Sequence, residues 1–184
     1  MVPLPLADCW LHPDVEVRQS RIDGQGLFAR RRINAGSAVS RVGGRLVSWA
    51  ELQAIIAAAA LEPTRPYVDT IAVDEDMHLV LPGRRDNGYG NHSCDPNLWW
   101  MDAYTLSARR DIEADEECTN DYATSTGDEA FSMGCSCGSA LCRRLITGRD
   151  WRLPALQLRY GEHWVPVLAA RIRRLSGSVC GAEV

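Results

Sequence analysis

Residues 91–97 read Asn91-His92-Ser93-Cys94-Asp95-Pro96-Asn97. A run of small polar side chains that bond their own backbone, closed by a proline without an N–H, suits neither a helix nor a strand interior. On its own it reads as an Asx-type loop. Its setting says more. Upstream lies Asp23-Gly24-Gln25-Gly26-Leu27-Phe28-Ala29, and downstream Asp115-Glu116-Glu117-Cys118-Thr119-Asn120-Asp121-Tyr122. Beyond these comes Cys135-Ser136-Cys137-Gly138-Ser139-Ala140-Leu141-Cys142.

The last stretch is C-x-C-x4-C, with Gly138 free to turn the backbone so that three sulfurs face one centre. The start of the chain, Met1 to Trp10, lacks a leading positive charge and is broken by Pro3 and Pro5, so it does not read as a secretory signal. Seven cysteines without an export signal point to thiols kept reduced in a cytoplasm, as metal ligands rather than disulfides. Three thiolates leave tetrahedral zinc one ligand short. Cys9, Cys94, Cys118 and Cys180 are candidates for the fourth.

The chain has 184 residues, 46% hydrophobic and 24% charged, the composition of one soluble globular domain. The longest apolar run of helical character, Ala54 to Leu61, is far short of the roughly 20 residues a membrane span needs. A net charge of -4 argues against coating nucleic acid. All 20 basic residues are arginine, which fits GC-rich coding. β-Prone segments fall at Val15–Arg18, Leu27–Arg31, Ala38–Val42, Arg45–Val47, Tyr67–Val73, His78–Leu81, Leu98–Met101, Tyr104–Ala108 and Glu117–Tyr122, separated by turn signals. Ser48 and Glu51 form a capping box before an Ala/Ile/Leu helix that Pro63 closes. Residues 124–134 read as a connector. Trp164, Leu168, Ile172 and Leu175 fall at helical spacing, with Arg173-Arg174 in the last turn and Gly177 after it. The expected class is α+β, mainly β, with a cysteine knuckle and a helical tail.

Taken in order, the glycine turn, the Asn91–Asn97 heptapeptide, the acidic segment ending in Asp121-Tyr122 and the cysteine triplet resemble the SET-domain family of protein lysine methyltransferases with a post-SET zinc site. The resemblance covers roughly residues 15–145. It implies a SET-type β-clip of short curled sheets with a pseudoknot. It divides the chain into an N-terminal extension 1–14, a SET domain 15–123, a connector and post-SET zinc segment 124–145, and a C-terminal helical extension 146–184.

By the same resemblance, S-adenosylmethionine is bound by Gly24, Gln25, Gly26, Leu27, Tyr89, Asn91, His92 and Leu141, with Asn91 acting through its side chain and His92 mainly through its backbone. Tyr122 is the catalytic tyrosine, and Asn120, two residues before it, borders the acceptor nitrogen. Cys94 becomes the preferred fourth zinc ligand beside Cys135, Cys137 and Cys142. The chemistry agrees. Methyl transfer is a displacement in which a neutral amine meets a sulfonium, so the protein must align the two, exclude water and let burial lower the amine's pKa.

Three departures stand out. Gly88-Tyr89-Gly90 replaces the usual arginine–aromatic–aliphatic approach to Asn91, Asn120 replaces an aromatic, and residues 161–184 run past the usual post-SET end. The expected function is a cytoplasmic S-adenosylmethionine-dependent protein lysine N-methyltransferase, nuclear in a eukaryote, with a lysine-bearing protein or peptide as partner. A methyltransferase of a small amine or peptide natural product, and a non-catalytic SET-like binding module, are the alternatives. The acidic stretches Asp74–Asp76 and Asp115–Glu117 read as solvated surface.

Overall fold

In the computed structural model, which describes residues 3–62, 68–83 and 85–179, twelve short strands and three α-helices follow one another along the chain. The strands are β1 (Trp10–Leu11), β2 (Val15–Gln19), β3 (Gln25–Ala29), β4 (Ala38–Arg41), β5 (Arg45–Ser48), β6 (Thr70–Ala72), β7 (Met77–Val80), β8 (Leu98–Trp100), β9 (Thr105–Ala108), β10 (Glu117–Cys118), β11 (Ser132–Gly134) and β12 (Leu145–Thr147). The helices are α1 (Trp49–Ala60), α2 (Pro154–Tyr160) and α3 (Pro166–Val179). The mainly-β class with small antiparallel sheets is as expected.

Four sheets form: β1-β4-β9-β8, β10-β3-β2, β5-β7-β6 and the pair β11-β12. Strand β3 is the organiser. It pairs with β2 on one side, Val17 opposite Leu27, and with β10 on the other, Cys118 opposite Leu27. Alternation then sends Leu27 and Ala29 into the core and leaves Phe28, on the other face, half-buried, while Gln25 at the strand's start stays exposed. All four residues of β9 are buried, as befits a strand between β4 and β8 with both faces covered.

The Ser48–Glu51 capping box is present, Ser48 Oγ accepting from the Glu51 N–H at 3.2 Å and the Glu51 carboxylate from the Ser48 N–H at 3.0 Å. Helix α1 buries only Leu52, so caps and tertiary edges hold it more than core packing. It ends at Leu61, and Pro63 lies outside the described residues.

Several expected boundaries shift. The Glu117–Tyr122 strand shrinks to two residues, because Asn120 leaves β3 to bridge His92 and Tyr122–Thr124 coils into a 3-10 turn capped by Asp121. The connector carries β11, which pairs with β12. The expected tail helix is α3, and a further helix, α2, precedes it. Pro166, lacking an N–H, opens α3, so Trp164 sits in the link ahead of it, and Gly177 lies inside α3 rather than after it.

The tail is part of the main core. Trp151, Leu156, Tyr160, Trp164, Val165, Val167 and Leu168 are buried in one cluster with Leu27, Val39, Leu98 and Ile112. A second, smaller cluster gathers Cys94, Cys135 and Ile146. The Asp74–Asp76 stretch is exposed, as expected, and Glu75 pairs there with Arg171 and Arg174 of α3.

Candidate active site and metal centre

The heptapeptide and the segment 117–122 lie side by side. Asn120 bridges His92 in parallel, its N–H donating to Asn91 O at 3.2 Å and its carbonyl accepting from Ser93 N–H at 3.1 Å. In that geometry the bridge uses the flanking residues' groups and turns the N–H and C=O of His92 itself the other way. Asn97 locks the same crossing, donating to Glu117 O at 2.8 Å and accepting from Thr119 N–H at 2.9 Å.

Asn91 holds the glycine turn. Its amide nitrogen lies 3.1 Å from Asp23 O, 3.0 Å from Gln25 O and 2.8 Å from Glu117 Oε1. Two amide hydrogens serve these three acceptors, and Oδ1 stays available for a ligand donor. Glu117 in turn accepts from the Ser20 hydroxyl at 2.9 Å. Gly24 turns with φ +44, and Gly24 and Gln25 are exposed. Gly26 is glycine for a reason the sequence did not reveal: a Cβ there would stand 2.1 Å from Glu117 Oε1. Glu117 is therefore a member of this ledge that pattern reading passed over. Its signal was the pairing of Glu117 with Phe28, which needs the sheet to be known.

The ledge fits a cofactor that takes backbone groups and one amide: an exposed turn, a spare Asn91 oxygen, and His92 main-chain groups facing away from the pairing. Leu27 and Gly90 also border a cavity of about 390 Å³ whose walls include Asn120, Tyr122, Trp100 and Leu106. The structure thus brings Gly24–Leu27, Asn91, His92, Asn120 and Tyr122 together. Tyr89 is exposed and borders a different cleft, with Asp69 and Arg85. Leu141 is half exposed within the cysteine turn.

His92 is buried and links two centres. Burial holds its imidazole below the ordinary histidine range, so the ring is neutral at pH 7. The Tyr122 N–H donates to Nδ1 at 3.1 Å, which leaves the ring proton on Nε2, 3.4 Å from Cys94 Sγ. Asp121 Oδ1 is 3.5 Å from the unprotonated Nδ1 and makes no hydrogen bond to it. The Tyr122 ring lies 5.3 Å from the imidazole, and its hydroxyl donates to Gly90 O at 2.8 Å.

The sulfurs of Cys94, Cys135, Cys137 and Cys142 all lie within 4.8 Å of one another. Gly138, at φ +71, makes the turn that brings Cys142 back. Burial pushes the Cys135 thiol up to about 12. Cys137 is also desolvated, yet donors from the Cys94 and Ser139 backbone and the neighbouring thiols bring it down to about 6. Four converging sulfurs with backbone donors around them form a donor set suited to tetrahedral zinc. The other described cysteines stand elsewhere: Cys118 is buried in β10, and Cys9 accepts from Gly43 N–H and Arg85. Cys180 is outside the described residues.

A family model described as "SET domain" matches residues 24–123. The chain belongs to the SET-domain family. It is 30% identical over 160 residues to Histone-lysine N-methyltransferase ash1 of Drosophila melanogaster, covering 80% of this chain and 7% of that protein. To human Histone-lysine N-methyltransferase 2B it is 27% identical over 147 residues, 72% of this chain and 5% of the relative. The chain therefore spans a small fraction of the length of these relatives. Among solved structures, the methyltransferase domain of human SETMAR gives a TM-score of 0.57 at 23% identity, covering 73% of this chain and 58% of that one. KRYPTONITE in complex with mCHG DNA and SAH gives 0.56 at 22%, covering 73% and 29%. These two establish the likeness of fold. Among the described residues no helix is long and apolar enough to cross a membrane.

Proposed function

We propose that this SET domain is an S-adenosylmethionine-dependent N-methyltransferase acting on lysine side chains of a protein. One observation carries the reading: Leu27 and Gly90 border both the Gly24–Asn91 ledge and the cavity holding Tyr122 and Asn120. A ligand on the ledge and an acceptor in the cavity meet at that shared wall. The relatives named as histone-lysine N-methyltransferases, and the neighbour solved with SAH, support the same chemistry.

When bound, the cofactor supplies an electrophilic methyl group on a sulfonium. Gly24, Gln25, Asn91 and His92 offer it turn backbone, one amide oxygen and main-chain groups. Leu27, Trp100 and Leu106 make the cavity wall largely apolar, which favours the neutral amine that can react. The Tyr122 hydroxyl donates to Gly90 O at 2.8 Å, which fixes the phenol at the cavity wall where an approaching amine must be oriented. Trp100, 3% exposed, keeps an indole N–H without a partner among the described residues. Zinc, when held by the four cysteines, ties Cys94 to the post-SET turn.

The test is transfer of labelled methyl from S-adenosylmethionine into core histones and into cell extract separated into protein and small-molecule fractions. Label on lysine in protein supports the reading. Label only among small molecules supports the small-amine alternative, and none in any fraction, with cofactor binding intact, supports the binding module. The chain contains no lysine, so lysine-linked label in an enzyme-only control must come from a contaminant.

A further inference from the structure

We infer that Tyr160, at the end of α2, is a positioning residue for Tyr122, acting through the carboxylate of Asp121. This rests on the methyltransferase reading above. Asp121 is 1% exposed, and its two oxygens take four donors. Arg143 supplies two, NH1 to Oδ2 and NH2 to Oδ1, both at 2.7 Å. The Tyr160 hydroxyl gives a third at 2.9 Å and the Ala123 N–H a fourth at 3.0 Å. A carboxylate has about four acceptor sites, so this one is saturated and has a single orientation that satisfies every partner.

That orientation matters because Asp121 caps the turn that begins with Tyr122. The Ala123 bond fixes where the turn starts, and the Tyr122 N–H to His92 fixes its entry. Between them they set the direction in which the Tyr122 ring leaves the chain. Charge explains why a hydroxyl is needed beside Arg143. The guanidinium also donates from Nε to Asp150 Oδ2 at 3.0 Å, so one cation serves two buried carboxylates. The Tyr160 dipole compensates part of the excess negative charge at Asp121.

Delivery is rigid. Tyr160 is 1% exposed, with its ring edge-on to Trp164 at 5.6 Å between centroids. Arg143 is steadied in turn, its N–H on Cys94 Sγ at 3.3 Å, while Asp150 takes the Thr147 hydroxyl at 2.6 Å. The residues after the cysteine turn thus reach the reacting tyrosine in two bonds.

Tyr160→Phe keeps the ring and removes only the donor. In full-length protein, with core histones or the extract fraction that the wild type labels best as acceptor, kcat per folded molecule should fall by about 10- to 150-fold, the range expected for losing a hydrogen bond to a charged group. KM for the acceptor and Kd for S-adenosylhomocysteine should stay within about twofold. In NMR of protein carrying 13C at the tyrosine ζ carbon, the Tyr122 resonance should move or split. Asp121→Asn alone and combined with Tyr160→Phe should lose similar activity, since both act through one carboxylate. A purely structural Tyr160 would lower the melting temperature and leave kcat and the Tyr122 resonance unchanged, which overturns the inference. If the wild type methylates nothing, the function reading fails, and the resonance alone decides the role of Tyr160.

Discussion

The Tyr122 hydroxyl and the Gly90 carbonyl oxygen lie 2.8 Å apart, so the tyrosine assigned to catalysis is pinned to the residue that precedes Asn91. The hydroxyl's direction is thereby fixed before any acceptor arrives. Tyr122→Phe should fold and bind S-adenosylhomocysteine as the wild type does, yet lose about 10- to 1,000-fold in turnover if the hydroxyl acts as a pre-organised dipole. Turnover equal to wild type would remove Tyr122 from the mechanism.

Gly26→Ala tests the ledge. The new methyl displaces Glu117 Oε1 and crowds Asn91 Nδ2, which would lie 3.1 Å away. Gly26 is buried, but the nearest atom belongs to the end of the flexible, half-buried Glu117 side chain, so the fold should tolerate the change with a loss of about 1 kcal/mol. Cofactor affinity should weaken by about tenfold, the equivalent of one lost hydrogen bond. Calorimetry with S-adenosylhomocysteine measures it, and an unaltered Kd would dissociate Asn91 from binding.

One zinc per chain is expected, held by Cys94, Cys135, Cys137 and Cys142. Thiolate ligation couples the metal to folding of the segment that carries it. Chelation should therefore expose 131–147 to protease before the β2–β3 sheet. Metal analysis of Cys94→Ser should show lost or much weakened zinc. Full zinc content in that variant, with undiminished protection, would assign the fourth ligand to another residue.

Asn120 bears on product multiplicity. It is 8% exposed, borders the acceptor cavity with Tyr122, and its Oδ1 would lie 3.9 Å from a Cβ at Gly90. Asparagine is shorter than the aromatic usual at this place and leaves room for a methylated nitrogen to turn. Wild type should give products beyond monomethyl-lysine, and Asn120→Tyr should shift them toward monomethyl. Mass spectrometry of the acceptor reads this directly. Monomethylation by both proteins would show that multiplicity is set elsewhere.

Glu75 gives a pH signature for the docking of α3. Hydrogen bonds from Arg171, at 2.6 Å, and from Arg174 hold its carboxyl below the ordinary 4.5. A depressed folded value stabilises the protein above the unfolded pKa, and this is lost as pH falls through the folded one. The melting-temperature gap between wild type and Glu75→Gln should be present at pH 7 and close progressively below about 4.5. It should be small, and smaller in high salt, because the pair is well exposed. A gap constant down to pH 3 would assign the effect to packing.

Much of the site was legible because its chemistry depends on local runs. The heptapeptide, the glycine turn and the cysteine triplet each carry their meaning within eight residues, and the structure assembles them. What was not legible depended on distant partners. Asn91 bonds turn residues more than sixty positions earlier, and Glu117 becomes part of the ledge only once β10 lies beside β3. Arg143 and Tyr160 meet Asp121 from 22 and 39 positions away. The strand at Glu117–Tyr122 was overextended for a related reason: β-prone residues continue past Cys118, but the bridge to His92 competes for the backbone of Asn120. In the tail, apolar spacing was read without the break that Pro166 imposes.

Cys94 must wait for Cys135, 41 positions later, and Asp121 for Tyr160, 39 positions later. At roughly 5–20 residues per second, a ribosome adds the later member of each pair about 2–8 s after the earlier one. Until Arg143 and Tyr160 are added, the nascent chain already holds the glycine turn, the heptapeptide and Tyr122, with the Asp121 carboxylate still lacking the donors those two residues supply. The setting of Tyr122 is thus completed only once α2 has been made, well after the motifs that mark the family. A chain cut short before α2 would carry every signature motif and still leave the Asp121 carboxylate without its Tyr160 donor.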